Sequence, residues 1–293
     1  MPGGRLAMFR SVFEGFETFL YVPSTTSRSG VHIHDSIDTK RTMSVVILAL
    51  MPALLFGMYN VGYQHYLAIG QLSAVGFWTV FFFGFLAVLP KIIVSYVVGL
   101  GAGQVVDTFS GATPLGQVAT HTGGELVLQN AVGEPLSTLD YFLGLIPGSI
   151  GETSVLAILI GAVILLWTGI ASWRVILSVF IGGLVMGGIA YLFPSPVYPG
   201  SSISPVDQLC LGGFAFAAVF MATDPVTGAR TQLGQYIYGF LIGVIAILIR
   251  IYNTGYPEGA MLAVLLMNVF APLIDYFVVE GNIKRRLKRA SKA

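Results

Sequence analysis

The segment Asp107-Thr-Phe-Ser110-Gly111-Ala112-Thr113-Pro114 pairs a side-chain hydroxyl with neighbours that leave it open to chemistry. Small residues let a bulky group approach the backbone, and Pro114 restricts Thr113 to an extended conformation. A hydroxyl placed so is open to covalent modification. Taken alone the tetrapeptide Ser-Gly-Ala-Thr is also what many turns contain. Further candidates are carboxylates within or beside apolar stretches, where ionisable groups are costly and functional by default. They are Glu14, Asp224, Glu258 and Asp275. Asp224 precedes Pro225 and Glu258 follows Pro257, which also suits turns and helix caps. Asp275 lies inside the last apolar window, and ion binding and an interfacial helix position explain it equally well. His32, His34, Asp35 and Asp38 crowd one polar junction, but without a metal-ligand spacing. Arg250, at a helix end, could pair with a phosphate or a loop acid; the plainer expectation is that it snorkels to the interface.

What must position these residues is a set of membrane-spanning helices. The 293 residues are 55 % hydrophobic and 10 % charged, with a mean hydropathy of +0.81, against roughly 25 % charged in soluble domains. Windows able to cross a hydrocarbon core of about 30 Å lie at 43–59, 75–100, 155–170, 175–193, 236–250 and 260–279, with a shorter one at 211–222. They are continuously apolar and carry glycine, unlike the alternating segments of a β-barrel. The fold class is therefore all-α and polytopic, with about seven spans. Ahead of them Phe9, Val12, Phe13, Phe16, Phe19 and Leu20 recur at helical spacing. They predict an amphipathic helix on the membrane surface or against a partner subunit. A compact apolar core and small-residue cleavage site, the marks of a signal peptide, are missing.

The net charge of +1 decides little, and no nucleic-acid partner is expected. The placement of cations is more informative. Arg5, Arg10, Arg28, Lys40 and Arg41 precede the first span, and Lys284, Arg285, Arg286, Lys288, Arg289 and Lys292 follow the last. The positive-inside rule puts both termini in the cytoplasm. The connections 60–74, 105–151 and 194–210 hold no Lys or Arg and read as outside, while Arg174 and Arg230 mark inside loops. Two inside termini need an even number of crossings. Counting back from the C-terminus places 105–151 outside, and counting forward places it inside. Either one window is miscounted, with 75–100 and its Pro90-Lys91 pair the candidate, or an odd number of spans is absent near 101–105. The chain divides into an N-terminal segment (1–42), first transmembrane helices (43–100), a loop carrying the Thr113 motif (101–154), a C-terminal bundle (155–280) and a basic tail (281–293). The single Cys210 excludes an internal disulfide and a four-cysteine iron–sulfur cluster.

Asp107-x-x-Ser-Gly-Ala-Thr113 resembles the signal at which a flavin transferase esterifies FMN phosphate to threonine in membrane subunits of the sodium-pumping NADH:quinone oxidoreductase (NQR) and the related Rnf complexes. Further stretches resemble the NqrB subunits of that enzyme, in family order. They are His34-Asp-Ser-Ile-Asp-Thr-Lys-Arg41, Phe56-Gly-Met-Tyr-Asn60, Ile146-Pro-Gly-Ser-Ile-Gly-Glu152, Gly169-Ile-Ala-Ser-Trp-Arg174 and Leu211-Gly-Gly-Phe-Ala-Phe216. Met221-Ala-Thr-Asp-Pro-Val226, Tyr256-Pro-Glu-Gly259 and Asn282-Ile-Lys-Arg-Arg-Leu287 continue the series. The family resembled has about ten spans, each long enough for a bilayer. A block of them has no counterpart here, and the join would fall near 101–105. An omitted stretch and a true deletion both fit.

The resemblance implies covalent FMN on Thr113, with Asp107, Ser110, Gly111 and Ala112 completing the attachment motif. It also implies a noncovalent riboflavin, ubiquinone as acceptor near Gly99 and Gly101, and sodium passing by Glu14, Asp224, Glu258 and Asp275. Partners would include the flavin-bearing NqrC and the NADH-oxidising NqrF of a six-subunit complex in a bacterial inner membrane. No nucleotide-binding fingerprint is present, so NADH would be oxidised on another chain. An Rnf-type subunit, a cofactor-free secondary transporter with broken helices, and a scaffold without cofactors are the other readings.

Overall fold

Lipid offers backbone amides no partners, so the apolar windows fold as helices that satisfy their own hydrogen bonds. The computed structural model describes residues 39–98, 113–121, 126–130, 132–195, 197–253 and 255–290, with backbone only at 39–41 and 89–98. The predicted N-terminal surface helix lies outside these residues. The long helices are α1 (Thr39–Ala68), α2 (Phe77–Val98), α5 (Val155–Trp167), α6 (Trp173–Leu192), α9 (Gln232–Tyr252) and α10 (Ala260–Ala290). Two short helices, α3 (Pro114–Thr120) and α4 (Thr138–Leu143), lie between α2 and α5. No strand occurs among the described residues, only the isolated bridges Gln129–Pro135 and Ser195–Tyr198.

α1, α6, α9 and α10 are long and apolar enough to cross a membrane, and the described apolar parts of α2 and α5 are shorter. The protein is an all-α polytopic membrane protein. α2 runs through Pro90 and Lys91 without a break. α10 continues past the expected end at 279 and carries most of the basic tail as helix.

The window at 211–222 is where structure and hydropathy part. It is no simple span. The chain enters through a 3₁₀ turn (Pro199–Ser202), forms α7 (Pro205–Cys210), and breaks at Leu211–Gly213. It resumes as one α turn, α8 (Phe214–Phe216), and runs straight into a π-helix (Ala217–Met221). Leu211, Phe214, Ala218, Val219 and Ala222 are almost wholly buried, so this broken element is the inner member of the bundle. Gly212 takes φ +59°, a left-handed conformation that favours glycine.

Packing among the long helices runs on glycine. A Cβ on Gly182 would strike the Phe240 carbonyl, and one on Gly243 the Val179 carbonyl. α6 and α9 therefore touch backbone to backbone. Gly161 of α5 meets the Ala49 carbonyl of α1 in the same way, and Gly62 of α1 meets the Val80 carbonyl of α2. In lipid there is little hydrophobic drive between helices, and close approach through small residues takes its place. One buried cluster joins α1, α3, α4 and α5. A second joins α6, α9 and α10 around the broken element. Large apolar side chains such as Leu48, Phe82, Val163, Val185, Leu265 and Val269 remain exposed, as a lipid-facing surface requires.

Four contacts order the two ends of the bundle. Asn60, late in α1, donates to the Ile146 carbonyl at 2.9 Å. Gly57 abuts Gly151, and Gly200 packs on Val118 and Ile251. The three cation-free connections therefore gather at one end. Arg174, in the first turn of α6, and Arg230, just ahead of α9, lie at the other, where Ser172 donates to Gln235 at 2.8 Å.

Candidate functional site

Thr113 is the N-cap of α3. Its φ and ψ of −62° and 155° are extended, as the following proline dictates, and Pro114 opens the helix. The Thr113 Oγ1 accepts from the Gly116 amide at 3.1 Å, which fixes its rotamer while leaving the hydroxyl partly exposed. Asp107, Ser110, Gly111 and Ala112 lie outside the described residues, as do Gly99, Gly101 and Glu14.

A cleft of about 20 Å³ opens beside Thr113, bounded by Ile146, Pro147, Glu152, Gly212 and Glu258. It is the size of one water. A flavin ring attached at Thr113 would have to lie outside it. Two carboxylates converge on its floor. Glu258 Oε2 accepts from the Gly213 amide at 3.0 Å, and a Cβ on Gly213 would sit 3.1 Å from Glu152 Oε2. Burial pushes the Glu152 carboxyl above the usual range, and the charge of Glu258 adds to that rise. A proton on Glu152 or a neighbouring cation would relieve the strain that burial and the Glu258 charge put on it.

Behind the cleft stands Arg250. The snorkelling expectation is wrong: Arg250 is only 4 % exposed. The interrupted helix explains it. The break strands carbonyls at the end of α7 that would normally bond within a helix. The guanidinium donates to the backbone carbonyl of Gln208 and to that of Leu211 at 3.0 Å, and lies 5.9 Å from the Phe214 ring centre. Arg250 and Glu258 thus bind opposite sides of the Leu211–Gly213 break, one on its carbonyls and one on its amide. Neither Glu152 nor this role of Arg250 was anticipated from sequence. The available signals were the Leu211-Gly-Gly213 run inside an apolar window and an acid placed just before α5.

The other predicted acids are at the opposite end. Asp224 closes its own turn, accepting from the Val226 amide at 3.2 Å and the Thr227 hydroxyl at 2.6 Å. It borders a cavity of about 220 Å³ shared with Ser172, Thr223, Arg230 and Gln235. Asp275 accepts from the amides of Arg230 and Thr231 at 2.8 and 3.0 Å and from the Thr231 hydroxyl at 2.6 Å. It pins α10 to the first turn of α9. Glu258 is thus brought to Thr113, while Asp224 and Asp275 are not.

The sequence profile of the NQR2, RnfD, RnfE family matches residues 26–106 and 85–284. The chain is 35 % identical over 396 residues to the NqrB subunit of the Na(+)-translocating NADH-quinone reductase of Klebsiella pneumoniae (strain 342), covering 98 % of this chain and 96 % of the relative. The corresponding subunit of Chromohalobacter salexigens is 35 % identical over 388 residues, with 98 % and 93 % covered. That of Haemophilus influenzae (strain PittEE) is 33 % identical over 398 residues, with 99 % and 96 % covered. These alignments are longer than the 293 residues of this chain, so each relative carries residues that have no counterpart here. The two profile matches meet across 85–106, around the join expected at 101–105.

Proposed function

The chain belongs to the NQR2, RnfD, RnfE family, and on that premise we propose that it is the NqrB-type membrane subunit of a sodium-translocating NADH:quinone reductase, with FMN esterified to Thr113. The observation that carries the flavin reading is Thr113 itself: extended, followed by proline, partly exposed, and held by the Gly116 amide at 3.1 Å. Its oxygen can accept that bond as a phosphoester as well as an alcohol. FMN bound there supplies the redox chemistry. The chain supplies the anchor, the short helix that orients it, and the Glu152–Glu258 pair whose charge the nearby group would sense. Thr113 is an attachment point and takes no part in bond making during turnover.

The finer reading has electrons arriving from the flavin of NqrC, after NADH oxidation on NqrF, and passing through a bound riboflavin to ubiquinone near Gly99 and Gly101. Sodium would enter past Asp224 and Asp275 at the cationic end and leave past Glu258 at the Thr113 end, with Glu14 on the N-terminal segment. On this reading the complex sits in a bacterial inner membrane with both termini of this subunit in the cytoplasm. Residues absent at the 101–105 join would have walled the flavin and quinone sites, so the length of the intact polypeptide bears directly on electron transfer.

The broken, buried helix also suits a secondary transporter, and an Rnf-type subunit is the neighbouring family reading. A denaturing gel separates flavoprotein from carrier. Protein from a host with the flavin transferase should fluoresce under ultraviolet light, and Thr113→Ala should be dark. A dark wild-type band would remove the redox reading.

A further inference from the structure

α10 outlasts its partner. Asp275 holds it to the start of α9, and the helix then continues to Ala290. Where the two diverge lies a groove of about 310 Å³. Its walls are apolar: Leu233 and Ile237 from the first turns of α9, and Ile274, Phe277 and Val278 from α10. Leu233 and Phe277 are 55 % and 60 % exposed. Gly281 widens the groove, since a Cβ there would meet nothing within 4 Å. Its far end is polar, closed by Asn282 and Arg285.

Helical spacing puts the groove-lining positions 274, 277, 278, 281 and 285 on one face of α10. Lys288 and Arg289 fall on that same face. Glu280, the nearby acid, is taken by Lys284 at 2.8 Å. Side chains on a helix lean toward its N-terminus, so Arg285 leans back over the polar end of the groove. An apolar trough that ends in a guanidinium and a carboxamide, at the point where an apolar helix turns basic, matches one ligand chemistry. It fits a chain of methylenes ending in an anionic phosphodiester. Basic pockets between membrane helices bind anionic headgroups for the same reason.

We propose that the groove between α9 and α10 is a site for an anionic phospholipid, with an acyl chain along Leu233, Ile237 and Phe277 and its headgroup phosphate on Arg285 and Asn282. The bound lipid would fill the wedge left where α10 leaves α9, and so tie the basic end of α10 to the bilayer. The proposal does not depend on the flavin reading.

The test is native mass spectrometry of the detergent-solubilised complex, titrated with dioleoyl phosphatidylglycerol or dioleoyl phosphatidylethanolamine. Wild type should retain one phosphatidylglycerol in preference to phosphatidylethanolamine. Arg285→Gln should weaken that binding about fivefold, the worth of one cation at a membrane surface. Gly281→Leu fills the trough and should abolish retention; leucine favours helix over glycine, so this variant is expected to fold. Arg286→Gln removes the same charge from another face and should change retention less than twofold. Equal weakening by Arg285→Gln and Arg286→Gln would mean diffuse attraction to the tail and would overturn the site. So would equal retention of the two lipids, displacement by millimolar inorganic phosphate, or a groove sealed by a neighbouring subunit so that no lipid is retained.

Discussion

Replacing Gly212 by alanine tests whether the broken helix forms the floor of the Thr113 site. Gly212 has φ +59°, and an L-residue in the left-handed region costs about 1–2 kcal/mol. The new Cβ would lie 2.5 Å from Leu115 Cδ1 and 2.6 Å from Glu258 Oε2. Both contacts must open: the buried Leu115 or the Leu211–Gly213 backbone has to shift, and Glu258 has to move and give up the Gly213 amide. A hydrogen bond to a carboxylate is worth about 1.5–3 kcal/mol. Together these reach about 3–5 kcal/mol, which should lower the melting midpoint of the detergent-purified protein by about 10 °C at a few degrees per kcal/mol. Gly188→Ala is the control, for Gly188 lies within α6 and a Cβ there meets nothing within 4 Å. It should leave the midpoint unchanged or raise it, since alanine favours helix by up to about 1 kcal/mol. Gly212→Ala should also depress flavin loading of Thr113. If the two variants melt together, the break does not have the geometry described, and the clamp by Arg250 and Glu258 falls with it.

Arg250→Lys keeps the charge but loses the planar fork that reaches both carbonyls; it should cost about 2 kcal/mol, read as a lower melting midpoint. For Glu152 the raised carboxyl means that, between the ordinary carboxylate range and the raised value, the folded protein holds a proton the unfolded chain has released. Its contribution to stability is present below the ordinary carboxylate range and is lost as pH rises through the raised value. Glu152→Gln should flatten that decline in midpoint-versus-pH curves, and an unchanged slope would discount the Glu152–Glu258 pair. Asp275→Asn removes the charge and keeps one acceptor oxygen, enough for the Thr231 amide and hydroxyl, while its NH2 faces the Arg230 amide and loses that bond. The variant should therefore lower the melting midpoint by a few degrees; if Asp275 carries sodium, it should also lower sodium-stimulated quinone reduction more than NADH oxidation, and an equal sodium response would take Asp275 off the route.

The long helices were legible in the sequence because continuous apolarity over a bilayer's thickness leaves few alternatives. Their ends were not, as α10 shows: Lys284 to Arg289 are good helix formers, so the helix runs on where hydropathy stops. The broken element was hidden for a physical reason. Hydropathy averages over 211–222, while the break depends on the φ of Gly212 and on contacts with Leu115 and Glu258, far away in sequence. Arg250 was misjudged in the same way. A cation near a span end normally reaches for water, but here the stranded carbonyls of Gln208 and Leu211 supply a partner inside. Cation-free loops did identify the connections that share one end, because charge placement acts on the whole topology and not on a local contact.

Whether Thr113 carries the flavin is tested most directly by intact-mass measurement of the chain, followed by fragmentation of the peptide containing Thr113. Neither step assumes anything about turnover. The wild-type chain should show the mass of one FMN phosphoester, localised to Thr113 and lost in Thr113→Ala. An unmodified Thr113 in protein made alongside the flavin transferase, or the same added mass on the Thr113→Ala chain, would contradict it.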